Sequence, residues 1–165
     1  MIGWNDFFTA SAGASAALAG LLFVALSINL KKIISIPQLP SRALAAMILL
    51  AVVLVISLLG LVPGQGPRLL GGEILTAGFI AWIGMAYRHF TAFKTFEKTG
   101  RRYGPKYSFV LPLLLGQCAI LPYFMAGILL MLTNSCAPYW LVPSFVFSFI
   151  VSLYDVWVLL VEINR

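Results

Sequence analysis

Residues 69–87, Leu-Leu-Gly-Gly-Glu-Ile-Leu-Thr-Ala-Gly-Phe-Ile-Ala-Trp-Ile-Gly-Met-Ala-Tyr, decide the fold, because a single carboxylate, Glu73, stands inside an otherwise apolar run. Counted as a membrane crossing, this stretch gives the chain five spans; discounted, it leaves four. Only Ile74–Tyr87 is free of charge, which is short of the ~20 predominantly apolar residues that a spanning helix needs. The flanking charges settle the count. With five spans, Lys31, Lys32 and Arg42, then Arg88, Lys94, Lys98, Arg101, Arg102 and Lys106, share one side with Arg165, leaving only Arg68 opposite. With four, the basic run after Arg88 falls on the wrong side. Basic residues gather on the cytoplasmic side of membrane proteins. The sequence therefore predicts an all-α, polytopic membrane helix bundle of five transmembrane helices, N-terminus out and C-terminus in.

The composition requires such a fold. Of 165 residues, 61% are hydrophobic and only 10% charged, with a mean hydropathy of +1.00. Soluble domains carry about 25% charged residues, and a domain this small buries only about two-thirds of its unfolded surface. A soluble domain, a disordered tail and a secreted disulfide scaffold are all excluded. The net charge of +6 is accounted for by basic loops, so no nucleic-acid partner is expected.

The spans lie at about 9–30, 43–62, 69–87, 109–133 and 141–161, in a single transmembrane domain over 1–165. Between them stand turn formers: Pro37 and Pro40, the run Val62-Pro63-Gly64-Gln65-Gly66-Pro67, the basic segment Arg88–Ser108, and Asn134–Tyr139 with Pro138. The start, Met-Ile-Gly-Trp-Asn-Asp, lacks the positive region of a cleavable signal peptide. Trp4, Tyr139 and Trp140 are expected at the outer interface, where amphipathic rings settle. Trp82 and Trp157 are expected against lipid or neighbouring helices.

The first span is crowded with small residues. Gly13, Ala17 and Gly20 recur at i, i+4 and i+7, the spacing that lets helix backbones approach closely in lipid. This face is expected to pack helices, either within the bundle or against a second copy of the chain. The fourth span carries Pro112 and Pro122, which commonly kink a membrane helix and are read as packing features.

The fifth span carries a polar stripe. Ser144, Ser148, Ser152, Asp155 and Glu162 follow one another at intervals that keep them on one arc of an otherwise oily helix. A charge at bilayer depth costs a few kcal/mol, so such residues pair or line a wet cavity. By depth, the candidate partners of Asp155 are Arg88, which continues a face made of Ala77, Ala81 and Gly84, then Gln117 and Asn29. Three readings are open: an Asp155–Arg88 bridge that locks helices together, a functional polar site, gate or ion path through the membrane, or Asp155 simply reaching the inner interface. In the basic segment, Phe90, Phe93 and Phe96 opposite Lys94 and Lys98 predict a short amphipathic helix lying on the membrane. Lys94, Lys98, Arg101, Arg102 and Lys106 there are candidates for anionic lipid headgroups.

No catalytic constellation is present. The chain has no HExxH, no GxSxG and no glycine-rich phosphate loop. His89 is its only histidine, and Cys118 and Cys136 form no metal-binding spacing. The sequence therefore predicts neither an enzyme nor a metal or other cofactor.

Trp4-Asn5-Asp6-Phe7-Phe8, with the run Ala12–Leu30 (AGASAALAGLLFVALSINL) and the turn Val62-Pro63-Gly64, resembles small uncharacterised bacterial integral-membrane proteins over about a quarter of the chain. The resemblance implies a multi-pass protein of the bacterial inner (cytoplasmic) membrane; it implies no activity and carries over no site residue. Two functions remain. One is an oligomeric ion or small-solute channel or transporter with the Ser–Asp stripe facing water. The other is a non-transporting scaffold or accessory subunit that binds other membrane proteins or lipids. The partners expected on either reading are the bilayer and further copies of the chain.

Overall fold

The computed structural model describes residues 3–36, 39–99 and 107–163, with His89, residues 91–99, 107–113 and 162–163 described by backbone alone. Helix α1 spans Asn5–Ile28, α2 Leu30–Ser35, α3 Leu39–Gly60, α4 Pro67–Thr99, α5 Tyr107–Met131 and α6 Leu141–Ile163, with a 3-10 turn at Ala137–Trp140 before α6. No strand occurs among the described residues. Five helices are long and apolar enough to cross a membrane: α1, α3, the Pro67–Arg88 part of α4, α5 from Leu114, and α6 with its preceding turn. Glu73 does not shorten the third of these. Gln65 Nε2, from the preceding turn, donates to its carboxylate, so the charge is answered at the end of the span.

The breakers act where backbone chemistry lets them. Pro40 stands in the first turn of α3 and Pro67 opens α4, positions whose N–H groups have no helical partner to lose. Gly64 turns the intervening connection with φ +73. Helix α5 ends in a Schellman closure: the N–H of Thr133 reaches the carbonyl of Leu130, that of Asn134 reaches Leu129, each at 3.0 Å, and Thr133 adopts φ 56. Asn134 Oδ1 then accepts the N–H of Cys136 at 3.0 Å, folding the chain into the 3-10 turn. Both prolines of α5 lie inside one helical run.

Helices α3, α4, α5 and α6 form a closed ring in which each packs on the next and α6 returns to α3; α1 leans on α3 from outside and barely meets α6. The ring interior is filled by Leu49, Val53, Ile56, Ile74, Met85, Ile120, Tyr123 and Phe145, all essentially inaccessible. The backbones of α4 and α5 approach closely. A Cβ on Gly71 would lie 2.7 Å from the carbonyl oxygen of Gly127, so only glycine fits at that crossing. At the same end of the bundle the Phe8 ring covers Gly60, where a Cβ would meet it at 2.7 Å.

One of the two packing readings of the first span is removed, and one expectation is corrected. Gly13, Ala17 and Gly20 are exposed, and a side chain added at Gly13 or Gly20 would meet nothing within 4 Å. This face does not pack within the chain, because α1 turns its Ser11, Ser15 and Leu22 edge toward α3 instead. The segment after Arg88 does not begin a separate amphipathic helix. It continues α4 without interruption to Thr99, since no glycine or proline occurs between Gly84 and Gly100. At ~1.5 Å per residue the whole helix is about 50 Å long, well beyond the ~30 Å hydrocarbon layer.

Candidate functional site

The polar stripe of α6 points into the ring. Ser144, Ser148, Ser152 and Asp155 are at most 1% exposed, whereas Val146, Ile150, Leu153 and Trp157 on the other faces are exposed. The division follows from solvation: a hydroxyl or carboxylate left against hydrocarbon has no partner, while an aliphatic side chain there costs nothing. The side chain of Glu162 lies outside those described.

Each serine finds protein. Ser144 donates to the Trp140 carbonyl one turn earlier at 3.2 Å. Ser148 Oγ lies 3.1 Å from the hydroxyl of the fully buried Tyr123, which ties α6 to α5. Ser152 donates to the Ala46 carbonyl at 3.3 Å, which ties α6 to α3.

Asp155 meets Arg88 as a two-pronged pair. Arg88 Nη1 donates to Oδ2 at 2.8 Å and Nη2 to Oδ1 at 3.1 Å, with both residues buried. The planar guanidinium fork matches a carboxylate edge, and such charge-assisted bonds are among the strongest in proteins. Ala81 on the Arg88 helix is fully buried and Gly84 admits Ile48 of α3, so the small-residue face lets α4 come close enough for the pair to form.

A third charge joins them. Arg42 Nη1, from the first turn of α3, lies 3.6 Å from Asp155 Oδ1. Its side chain is 17% exposed, yet Nη1 itself is buried and has no hydrogen-bond partner. Asp155 thus joins α3, α4 and α6 at one point, and the triad carries two formal positive charges against one negative. Sequence reading placed Arg42 in a connection and counted it only for topology. The missed signal was Pro40, whose tolerance in a first helical turn puts Arg42 inside α3 at the depth of Arg88.

The remaining candidates fall elsewhere. Asn29 donates its side-chain amide to the Ala25 carbonyl of its own helix at 3.0 Å and does not join the triad. Gln117 is half-buried on α5 and makes no described contact with Asp155. The side chains of Lys94 and Lys98 are not among those described, and Arg101, Arg102 and Lys106 lie outside the described residues. Trp4 and Tyr139 meet edge to face at 5.1 Å, and the Phe7 ring stacks on Phe145 at 5.3 Å, forming an aromatic cluster at the bundle end opposite the triad. Trp82 and Trp157 are exposed, consistent with lipid-facing positions.

The triad and stripe contain no nucleophile beside a base and no paired acid and base. The described contacts hold helices: they join α6 to α3, α4 and α5, and Ser144 to the turn that precedes α6. Comparison with family models, curated proteins and solved structures finds no match to the chain.

Proposed function

We propose that this chain is a five-span membrane protein that works without transporting solute, as a scaffold or accessory subunit offering its outer surfaces to lipids and to other membrane proteins. One observation carries the reading: all four described stripe residues are inaccessible and engaged with protein partners. A water path needs polar groups that face water; here Tyr123, the Ala46 carbonyl and Arg88 occupy that role. The open Gly13–Ala17–Gly20 face of α1 is the natural contact for a second copy or another membrane helix. The one-sided distribution of basic residues supports an orientation with the N-terminus out, and the first-span resemblance supports a bacterial inner membrane.

The test is ion and small-solute flux from proteoliposomes holding the purified chain, as wild type and as Asp155→Asn. No flux above empty vesicles is expected from either. Flux from the wild type that the substitution alters would establish the channel alternative in its place. Orientation is read separately in intact cells: a cysteine at Gln65 should react with an impermeant thiol reagent added outside, and one at Thr99 should not.

A further inference from the structure

We propose that the groove between α1, α3 and α6, with the basic end of the bundle at its mouth, binds one anionic phospholipid. The inference rests on the membrane-spanning reading and is independent of whether the chain transports anything.

The groove exists because α1 leans on α3 and barely meets α6. It encloses about 220 Å³ between Leu21 and Ala25 of α1, Leu50 of α3, and Leu153, Val156 and Leu160 of α6. Ser152 also borders it, but its hydroxyl is turned to the Ala46 carbonyl. A water molecule entering would find no polar partners, whereas a lipid acyl chain matches the lining.

The groove has a direction. Toward its mouth, Leu26, Ile33, Leu39, Ala43 and Leu159 pack into a separate small core, which fixes α2 against the start of α3. Exposed Lys31 and Lys32 on α2, and Arg42 in the first turn of α3, lie at the end of the bundle toward which the groove runs. Arg88 already occupies both oxygens of Asp155, so Arg42 brings a positive charge that the carboxylate does not balance. The Arg42 side chain is partly exposed and its guanidinium has the planar donor fork that suits a phosphate, and exposed Lys31 adds to the field. Apolar groove and cationic mouth are consecutive, as acyl chain and headgroup are in one lipid. A zwitterionic headgroup brings its own cation; a cationic end of the bundle therefore favours an anionic one.

The experiment is native mass spectrometry of the full chain released from micelles containing equimolar phosphatidylglycerol and phosphatidylcholine. One phosphatidylglycerol should be retained in preference. Lys31→Gln with Lys32→Gln should weaken retention about fivefold for each charge removed, the factor that about 1 kcal/mol per basic residue implies. Arg42→Gln should do the same, and the lysine pair keeps the test readable if that variant unfolds, because both lysines are exposed. Ala25→Trp fills the groove without touching a charge and should also reduce retention. Equal retention of the two lipids, or retention indifferent to both the lysine pair and Ala25→Trp, would overturn the proposal. Displacement of the adduct by inorganic phosphate, with Ala25→Trp silent, would assign the mouth to free phosphate and overturn it equally. Failure of the membrane reading itself shows elsewhere, as release of the protein from membranes by alkaline carbonate.

Discussion

The α1 face Gly13–Ala17–Gly20 and the α6 face Ser144–Ser148–Ser152–Asp155 have the same helical spacing, yet the first stands outside the ring and the second is wholly enclosed. The difference lies in what each loses against hydrocarbon. A serine or aspartate facing acyl chains forfeits its hydrogen bonds, so its helix has one acceptable rotation. A glycine or alanine forfeits nothing there, so its spacing permits close packing without requiring it. Polar periodicity in a membrane helix therefore fixes orientation within the chain. Small-residue periodicity only nominates a surface.

That contrast is broken most severely at Asp155. Asp155→Asn leaves Arg88 and Arg42 without their counter-charge, and removing one partner of a buried ion pair costs about 3–5 kcal/mol. A large loss of thermal stability in detergent is expected. Adding Arg88→Gln should recover part of it, and adding Arg42→Gln more, because the second arginine still lacks an anion after the first is removed. A variant Asp155→Asn that melts with the wild type would show that the triad does not hold the ring.

A second test sets one glycine against another. Gly71→Leu drives a side chain into the Gly127 backbone and should cost about 1–3 kcal/mol or more, as overpacking does. Gly13→Leu and Gly20→Leu enter open space, so each should change monomer stability by no more than about 0.5 kcal/mol. Any effect of these two should appear in particle size, where a lost subunit contact is read by gel filtration. Destabilisation of the monomer by Gly13→Leu comparable to that of Gly71→Leu would dissolve the distinction between the two stripes.

How much was legible follows the same physics. The five helices of spanning length follow from the long apolar runs, and the inward-facing stripe and the Asp155–Arg88 pair follow from residues whose burial is dear without a partner; the sequence names both outright. The Gly71–Gly127 crossing was invisible because it depends on which helices adjoin, and glycines are common in both. Arg42 was misplaced by treating Pro40 as the end of a connection when it lies within a helix. The length of α4 was missed for a related reason: a change from apolar to basic residues marks where a span leaves the membrane, whereas a helix ends only where its backbone is interrupted. Here that does not happen before Thr99.

The triad also has a consequence for the order of synthesis. Arg42 and Arg88 lie on α3 and α4, and their shared carboxylate follows Arg88 by 67 residues, on the last helix. While the chain is being made, these two arginines lack that carboxylate until α6 has been synthesised. The ring thus cannot reach its final electrostatic state by adding helices one at a time. The three-helix contact at Asp155 is completed only when this last helix is in place.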